Sequence, residues 1–464
     1  MTRLKLTCTA LRSIGYPEGP VISLAISAME QQFKHHTEEA ALHILKQVLI
    51  DPVSYLSDNA LRKVAGRLME TPEDKDTPLK EIPVPYEIYG AGFIETGAIQ
   101  QMNNAVRLPI AVAGALMPDA HQGYGLPIGG VLAASNAVIP YGVGLDIGCR
   151  MCLSILDLPF SQLEKRAARF EQALMKYTRF GCSSAWEAPA EDAVLEHPLF
   201  RELDLLRRLH NTAALQMGTS GDGNHFVDWG IVQISGTNDY NLPPGSYIGL
   251  LSHSGSRNLG AQIATYYTRL ARELRPLPAA AQHLAWLDLD TEAGQEYWEA
   301  MNLAGSYASA SHHLIHGRLI KAMGAQLLAR IETPHNFAWK EIHNGQELIV
   351  HRKGATPAGK GVMGIIPGSM TDPGYIVRGR GEARSLQSAA HGAGRRMSRA
   401  KAAAAISDEE LNRQLEEQAV TLIGGGPDQA PRAYKNINEV MAAQSSLVDV
   451  IGSFRPKIVR MAEE

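Results

Sequence analysis

The sequence predicts an α+β protein: one large domain of strands and loops carrying helical insertions, preceded by a small helical region. Two observations point there. Residues from about 19 to 70 repeat apolar positions at helical spacing, as in Leu42, Ile44, Leu45, Val48 and Leu49. From Ile82 onward the texture changes to short β-branched runs separated by glycine turns. A charged stretch from Thr71 to Lys80, with prolines at 72 and 78, reads as the linker between them. The expected division is therefore 1–80, a helical extension, and 81–464, a catalytic domain.

The elements follow in order. Ile128–Ala133 and Val138–Pro140 read as strands or strand ends. Residues 160–217 read as mostly helical, with a break near Pro189. Ser246–Ser252 is strand-like, and 258–330 is helix-rich. Strands return at Leu348–Val350 and Gly364–Ile366, and helices are expected over 395–406 and from Ile437 to Val448.

At 464 residues the chain can build a large core, and 45% hydrophobic with 20% charged residues is the composition of an ordinary globular protein. No apolar run approaches the length that spans a bilayer, and the start lacks a long apolar signal core, so the chain reads as cytoplasmic with no membrane partner. Four cysteines (Cys8, Cys149, Cys152, Cys182) do not make a disulfide framework. A net charge of −4 excludes a generally basic nucleic-acid binder. Any such role must rest on the local basic run from Arg378 to Lys401, with Arg352 and Lys353 as candidates to join it.

Six motifs set metal-competent or phosphate-competent residues in glycine turns. They are Pro118-Asp119-Ala120-His121, Gly144-Leu145-Asp146-Ile147-Gly148-Cys149, Gly223-Asn224-His225-Phe226, His253-Ser254-Gly255-Ser256-Arg257, His335-Asn336-Phe337 with His351-Arg352-Lys353-Gly354, and His391-Gly392-Ala393-Gly394-Arg395. Asp146 and Cys149 are close enough for one loop to present a carboxylate and a thiolate to one ion. One aspartate, one cysteine and three histidines exceed what a single structural ion needs, so a two-ion site bridged by the thiolate is reasonable. A histidine in a Gly/Arg loop is a candidate nucleophile toward phosphorus. His312, His313 and His316 have helical spacing, and read more readily as a polar helix face than as a metal site.

These motifs, with Pro367-Gly368-Ser369-Met370, resemble in kind and order the RtcB family of GTP-dependent RNA ligases, over about 85–455. The resemblance implies joining of an RNA 3′-phosphate or 2′,3′-cyclic phosphate end to a 5′-hydroxyl end, with GTP, two manganese ions (Mn2+) and a guanylylated histidine. By motif, Asp146, Cys149 and His225 would hold one ion, and Cys149, His253 and His335 the other. His391 would carry GMP and Asp119 would orient its ring. Asn224, His225, Asp228, His335, Asn336, Pro367, Gly368, Ser369, Met370, Gly392, Ala393 and Gly394 would surround the nucleotide. Arg257, Arg352, Lys353 and Arg395 would meet RNA phosphate.

The chain departs from the family pattern at several places. Arg150 follows Cys149 where glycine is usual, and Ser311-His312 stands in place of an Asn-Arg pair. Asp228 takes the place of a base-reading glutamate, one methylene shorter. No lysine stands at the C-terminal base-reading place, where Arg460 is the nearest substitute. A two-metal phosphohydrolase or nuclease, and a non-catalytic RNA-binding protein, are the alternative readings of the same residues.

Overall fold

The computed structural model describes residues 4, 6–17, 20–69, 76–236 and 238–463. Positions 71–75 of the expected linker lie outside these. The chain divides into two units, Met1–Thr77 and Pro78–Glu464. The division falls before the expected boundary at residue 80 because Lys80 already belongs to the larger unit. Its amine donates to the Ala111 carbonyl at 2.7 Å and its backbone N–H to that of Arg107 at 2.7 Å.

In the smaller unit the described helices include Cys8–Ser13, Pro20–Gln32, Glu38–Ile50 and Arg62–Met69. Thr7 and Thr37 cap the first and third by accepting from the N–H three residues on, at 3.2 and 3.3 Å. Their apolar stripes meet in a core around Leu11, Met29, Leu45 and Leu61. The Tyr16 hydroxyl satisfies the Leu45 carbonyl at 2.9 Å.

The larger unit is built on two principal sheets. One has five strands, in the order Tyr86–Ile88, Ala111–His121, Ile128–Ala134, Gln346–Lys353, Asn336–His343. The other runs Met363–Ile366, Gly374–Gly379, Val448–Met461, Phe226–Ile234, Gly245–Ser254, Arg150–Leu156, Leu327–Pro334, with Thr421–Ile423 added beside Val448–Met461. Period-2 alternation gives the second sheet two different faces. Val227 and Trp229 pack with Phe170 under the helices, while Phe226 and Asp228 face the opposite way and line a cavity. The helical insertion is mainly Arg257–Leu274 and the 32-residue Glu292–Met323, joined through buried Tyr267 and Tyr297. Among the described residues no helix is long and apolar enough to cross a membrane.

Two expected helices are shorter than read. Residues 391–398 form a loop, and the helix is Arg399–Ala405, started by the Ser398 side chain accepting from Lys401 N–H. Helix Ile437–Ala443 stops early because Val448 opens a 14-residue strand.

Arg352 does not fit the expected contact with RNA phosphate. Its side chain is 1% exposed and holds both oxygens of Glu341 at 2.6 and 3.0 Å, the Ser388 hydroxyl at 2.8 Å and the Leu386 carbonyl at 2.9 Å. Such a fork is saturated by its own fold. Burial pushes the Glu341 carboxyl up, but its hydrogen bond and ion pair with Arg352 outweigh this and hold it below the usual range. Arg352→Ala is expected to cost about 3–5 kcal/mol in denaturant unfolding, since it strands a partly buried carboxylate. A loss under about 1 kcal/mol, with weakened RNA binding, would return Arg352 to the phosphate role. A chain beginning at Pro78 is expected to unfold cooperatively within a few degrees of the melting temperature that calorimetry gives for the same unit in the full chain. Failure of that chain to fold would show that the larger unit depends on the smaller.

Candidate functional site

Strand register brings the separated motifs together. Cys149 immediately precedes the strand Arg150–Leu156, whose Met151 pairs with His253 and whose Arg150 pairs with Pro334, next to His335. Phe226 also pairs with His253, which places His225 at the same end. The Cys149 Sγ lies 3.2 Å from His253 Nε2 and 3.5 Å from His225 Nε2. Asp146 Oδ2 lies 3.0 Å from His225 Nε2, and the Nε2 atoms of His253 and His335 are 3.1 Å apart.

Two groups result, Asp146–Cys149–His225 and Cys149–His253–His335, and they share the thiol. These spacings are close to the roughly 3.4–3.6 Å expected between tetrahedral ligands of one ion. His253 Nδ1 donates to the Asn224 carbonyl at 2.9 Å, which leaves its Nε2 lone pair facing the thiol. Burial lowers the pKa of His253 to about 3 and that of His335 well below its usual value, so both rings are neutral, as ligation requires. Burial, then Asp146, push the Cys149 thiol well above its usual value. A bound cation reverses that preference. Burial works to raise Asp146, but hydrogen bonding to His225 leaves it below its usual value.

Arg150 uses the place beside this cluster as a clamp. It ties the Gly148 carbonyl at 3.1 Å to the Gly305 carbonyl at 2.8 Å and to Glu332 at 3.0 Å.

His391 follows the short strand Ser388–Ala390. Its Nδ1 meets Asp119 Oδ2 at 2.7 Å, and the same oxygen accepts the backbone N–H of His391 at 3.1 Å and of Gly392 at 3.3 Å. Asp119 is fully buried. No hydrogen bond engages His391 Nε2 among the described residues. The loop needs glycine at 394, where φ is 73° and a Cβ would fall 2.1 Å from the Asp119 carbonyl oxygen.

A cavity of about 390 Å³ joins these parts. Its lining includes the four residues Asp146, Cys149, His225 and His253, and also His335, His391, Asn224, Asn336, Pro367 through Met370, and Gly392 through Arg395. Asn336 is spent on backbone: its Oδ1 accepts from Gly354 N–H at 2.8 Å and its amide donates to the Asp146 carbonyl at 3.4 Å. Asp228 lines the cavity while nearly fully buried, and its Oδ1 has no partner among the described residues. Burial pushes its carboxyl well above the usual range, offset in part by the Arg460 backbone N–H.

The basic residues divide. Lys353 lines the cavity, and burial brings its amine down to about 7. Arg395 also lines it, with its fork held by the Asp428 carbonyl at 2.6 Å and by Gln429 and Tyr434. Arg257, in the left-handed region at φ 57°, turns its guanidinium to the Gly181 carbonyl and to Thr219. Arg460 does not substitute for a base-reading lysine: its guanidinium reaches the Leu174 carbonyl and lies 5.6 Å from the Phe180 ring, away from Asp228. Arg399 belongs to the basic run but to none of the glycine-turn motifs. It lines the cavity beside Gly223, where a Cβ would fall 1.4 Å from its Nη2. Tyr434 and Gln429 follow the turn Gly424-Gly425-Gly426-Pro427, a glycine-rich signal that carries no histidine, cysteine or basic residue and so does not by itself point to a site.

Cys152, His312 and His316 also bring ligand atoms within 4.8 Å of one another. Each imidazole nitrogen there already has a partner. Ser252 Oγ sits 2.6 Å from His312 Nδ1 and 2.7 Å from His316 Nε2, Ser154 Oγ lies 2.8 Å from His316 Nδ1, and the Ser254 carbonyl 3.1 Å from His312 Nε2. The polar reading of this helix face therefore stands, as a buried hydroxyl network. His351 is likewise a satisfied core histidine, accepting from Ile139 N–H at 2.9 Å.

The family described as tRNA-splicing ligase RtcB matches residues 101–202 and 199–462. The RNA-splicing ligase RtcB of Escherichia coli K12 is 36% identical over 393 residues, covering 78% of this chain and 93% of the relative. The tRNA-splicing ligase RtcB of Nanoarchaeum equitans is 30% identical over 481 aligned positions, covering 87% and 99%. The RNA-splicing ligase RtcB of Mycobacterium bovis is 30% identical over 427, covering 77% and 98%. With a family match that spans residues 101–462 and relatives 30–36% identical over most of their length, the chain belongs to the RtcB family.

Proposed function

We propose that the chain is an RNA ligase that joins a 3′-phosphate or 2′,3′-cyclic phosphate end to a 5′-hydroxyl end, in RNA repair or tRNA splicing. GTP is the co-substrate, two manganese ions are the cofactors, and His391 carries the nucleotide. The relatives named as RNA-splicing and tRNA-splicing ligases support this. The observation that carries it is one cavity holding a carboxylate-oriented imidazole beside two ligand groups that share a thiol. The ligand thiol must stay reduced, which suits the cytoplasm.

Asp119 accepts the Nδ1 proton of His391 and so directs the Nε2 lone pair outward. Nε2 forms a bond to the α-phosphorus of GTP, the bond to the bridging oxygen breaks, and pyrophosphate leaves with the electron pair. A 2′,3′-cyclic phosphate is first opened by water to the 3′-phosphate; that phosphate takes GMP from His391, and the 5′-hydroxyl then attacks it, losing its proton as GMP leaves. Divalent ions held by Asp146, Cys149 and His225, and by Cys149, His253 and His335, would supply positive charge beside the reacting phosphate. Lys353 lines the same cavity, and Arg395, its fork held by Asp428, Gln429 and Tyr434, adds positive charge near the phosphate oxygens. Two-metal hydrolysis would leave the Asp119–His391 pair without a role.

The test is incubation with α-phosphate-labelled GTP and manganese, then joining of RNA ends. The wild type is expected to carry an acid-labile label. His391→Ala is expected to lose the label while keeping its metal, and Cys149→Ala to lose metal and turnover together. Label persisting in His391→Ala, or full metal occupancy with wild-type turnover in Cys149→Ala, overturns the assignment.

Base choice is read by Asp228. Its unpartnered oxygen suits the N–H donors of guanine, which adenine lacks at that edge. With a short side chain and Arg460 turned away, GTP is expected to be preferred over ATP by a modest margin. Competition for adduct formation is expected to show Asp228→Ala lowering the GTP/ATP ratio toward one, since the remaining polar contact to the base is then lost. An unchanged ratio would remove Asp228 from base reading.

A further inference from the structure

Beside the cavity three aromatic rings meet that the chemistry above does not use. Tyr124 lies in the loop between strands Ala111–His121 and Ile128–Ala134, Tyr141 in the short helix Pro140–Val143, and His283 in the turn Gln282–Leu284. Tyr141 and His283 are stacked, with centroids 5.2 Å apart and planes at 30°. Tyr124 meets both edge-on, at 6.5 and 6.0 Å, and remains 67% exposed. Core packing does not account for a large aromatic side chain left this open to water. The loop is nevertheless held in place: at Gly125, where φ is 70°, a Cβ would lie 3.1 Å from the His283 carbonyl oxygen.

Lys353 connects the rings to the reacting centre. Its amine donates to the carbonyls of Tyr124 and Tyr141, lies 4.9 Å from the Tyr141 ring centroid, and belongs to a residue that lines the cavity. The next residue, Gly354, sits so close to His391 that a Cβ there would fall 3.2 Å from the imidazole Cε1. Lys353, Gly354 and His391 thus line one side of the cavity, and the rings lie next to the Lys353 amine beyond it. Arg272 adds a second cation near His283 and, with Lys353, helps to lower that imidazole's pKa, after burial.

We propose that Tyr124, backed by Tyr141 and His283, is a stacking platform for an unpaired nucleobase at an RNA end, with the adjoining phosphate drawn to Lys353. Every base has a π face, so a tyrosine platform accepts any sequence while the cation holds the backbone. A ligase that must accept ends of varied sequence needs a contact of this kind. The inference rests on the ligase reading above and adds a subsite to it.

The test uses the full chain with manganese, GTP and single-stranded RNA ends. Tyr124→Ala is expected to raise the KM for RNA about tenfold or more, the usual scale for one lost base–aromatic stack, with the GTP-derived label on the protein unchanged. Tyr124→Phe is expected to behave as wild type. RNA with an abasic terminal nucleotide, placed on each strand in turn, is expected to cost the wild type a similar factor on one strand and Tyr124→Ala almost nothing further. Tyr124→Ala joining ends with wild-type KM overturns the platform while leaving the ligase reading intact. If wild type forms no label and joins nothing, the ligase reading fails. Fluorescence anisotropy with a short RNA then still judges the platform, by equal affinity of wild type and Tyr124→Ala.

Discussion

Cys149 is the point on which the site depends. Its sulfur is the one atom common to both ligand groups, and it is almost wholly removed from water. A buried thiol resists losing its proton, and the nearby Asp146 carboxylate increases that resistance. Three imidazoles and a carboxylate crowd the same volume, with contacts as short as 3.0–3.2 Å. Such packing of lone pairs is hard to sustain without positive charge among them. Sheet pairing sets the positions, and Arg150 fixes the loop behind the sulfur to the long helix.

The two faces of the eight-stranded sheet handle polar groups in opposite ways. Toward the cavity, His253 turns its Nε2 to the Cys149 thiol and Asp228 presents an oxygen with no partner among the described residues. Toward the helix, Ser252 and Ser154 saturate His312 and His316. A one-residue shift in the strand Gly245–Ser254 would exchange these faces, so register is as much a chemical constraint here as a packing one.

The motifs in glycine turns were legible because each lies within a few residues and carries unusual polar chemistry. Asp119, Asp146, Cys149, His225, His253, His335 and His391 could all be named from sequence, although spacing alone could not show that they meet. Arg352 misled, because a basic residue in a motif reads the same whether it faces a ligand or a carboxylate eleven residues away. Tyr141 and His283 come from separate elements and carry no local signal. The strand Val448–Met461 is partly hidden by a helical reading of its approach, while positions 395–398 of the loop read as part of the alanine-rich helix that follows. In both cases the boundary is set by tertiary contacts: pairing with Phe226–Ile234 in the first, and the close approach of Gly394 to Asp119 in the second.

The Asp119–His391 contact spans 272 residues of chain. While the polypeptide is being made, the carboxylate emerges long before its imidazole, and the two can pair only after the intervening strands have closed. A chain halted before residue 391 therefore carries the buried-to-be carboxylate without the imidazole it pairs with. Formation of the carboxylate–imidazole pair is thereby tied to completion of the fold, and no fragment that lacks either end can make it.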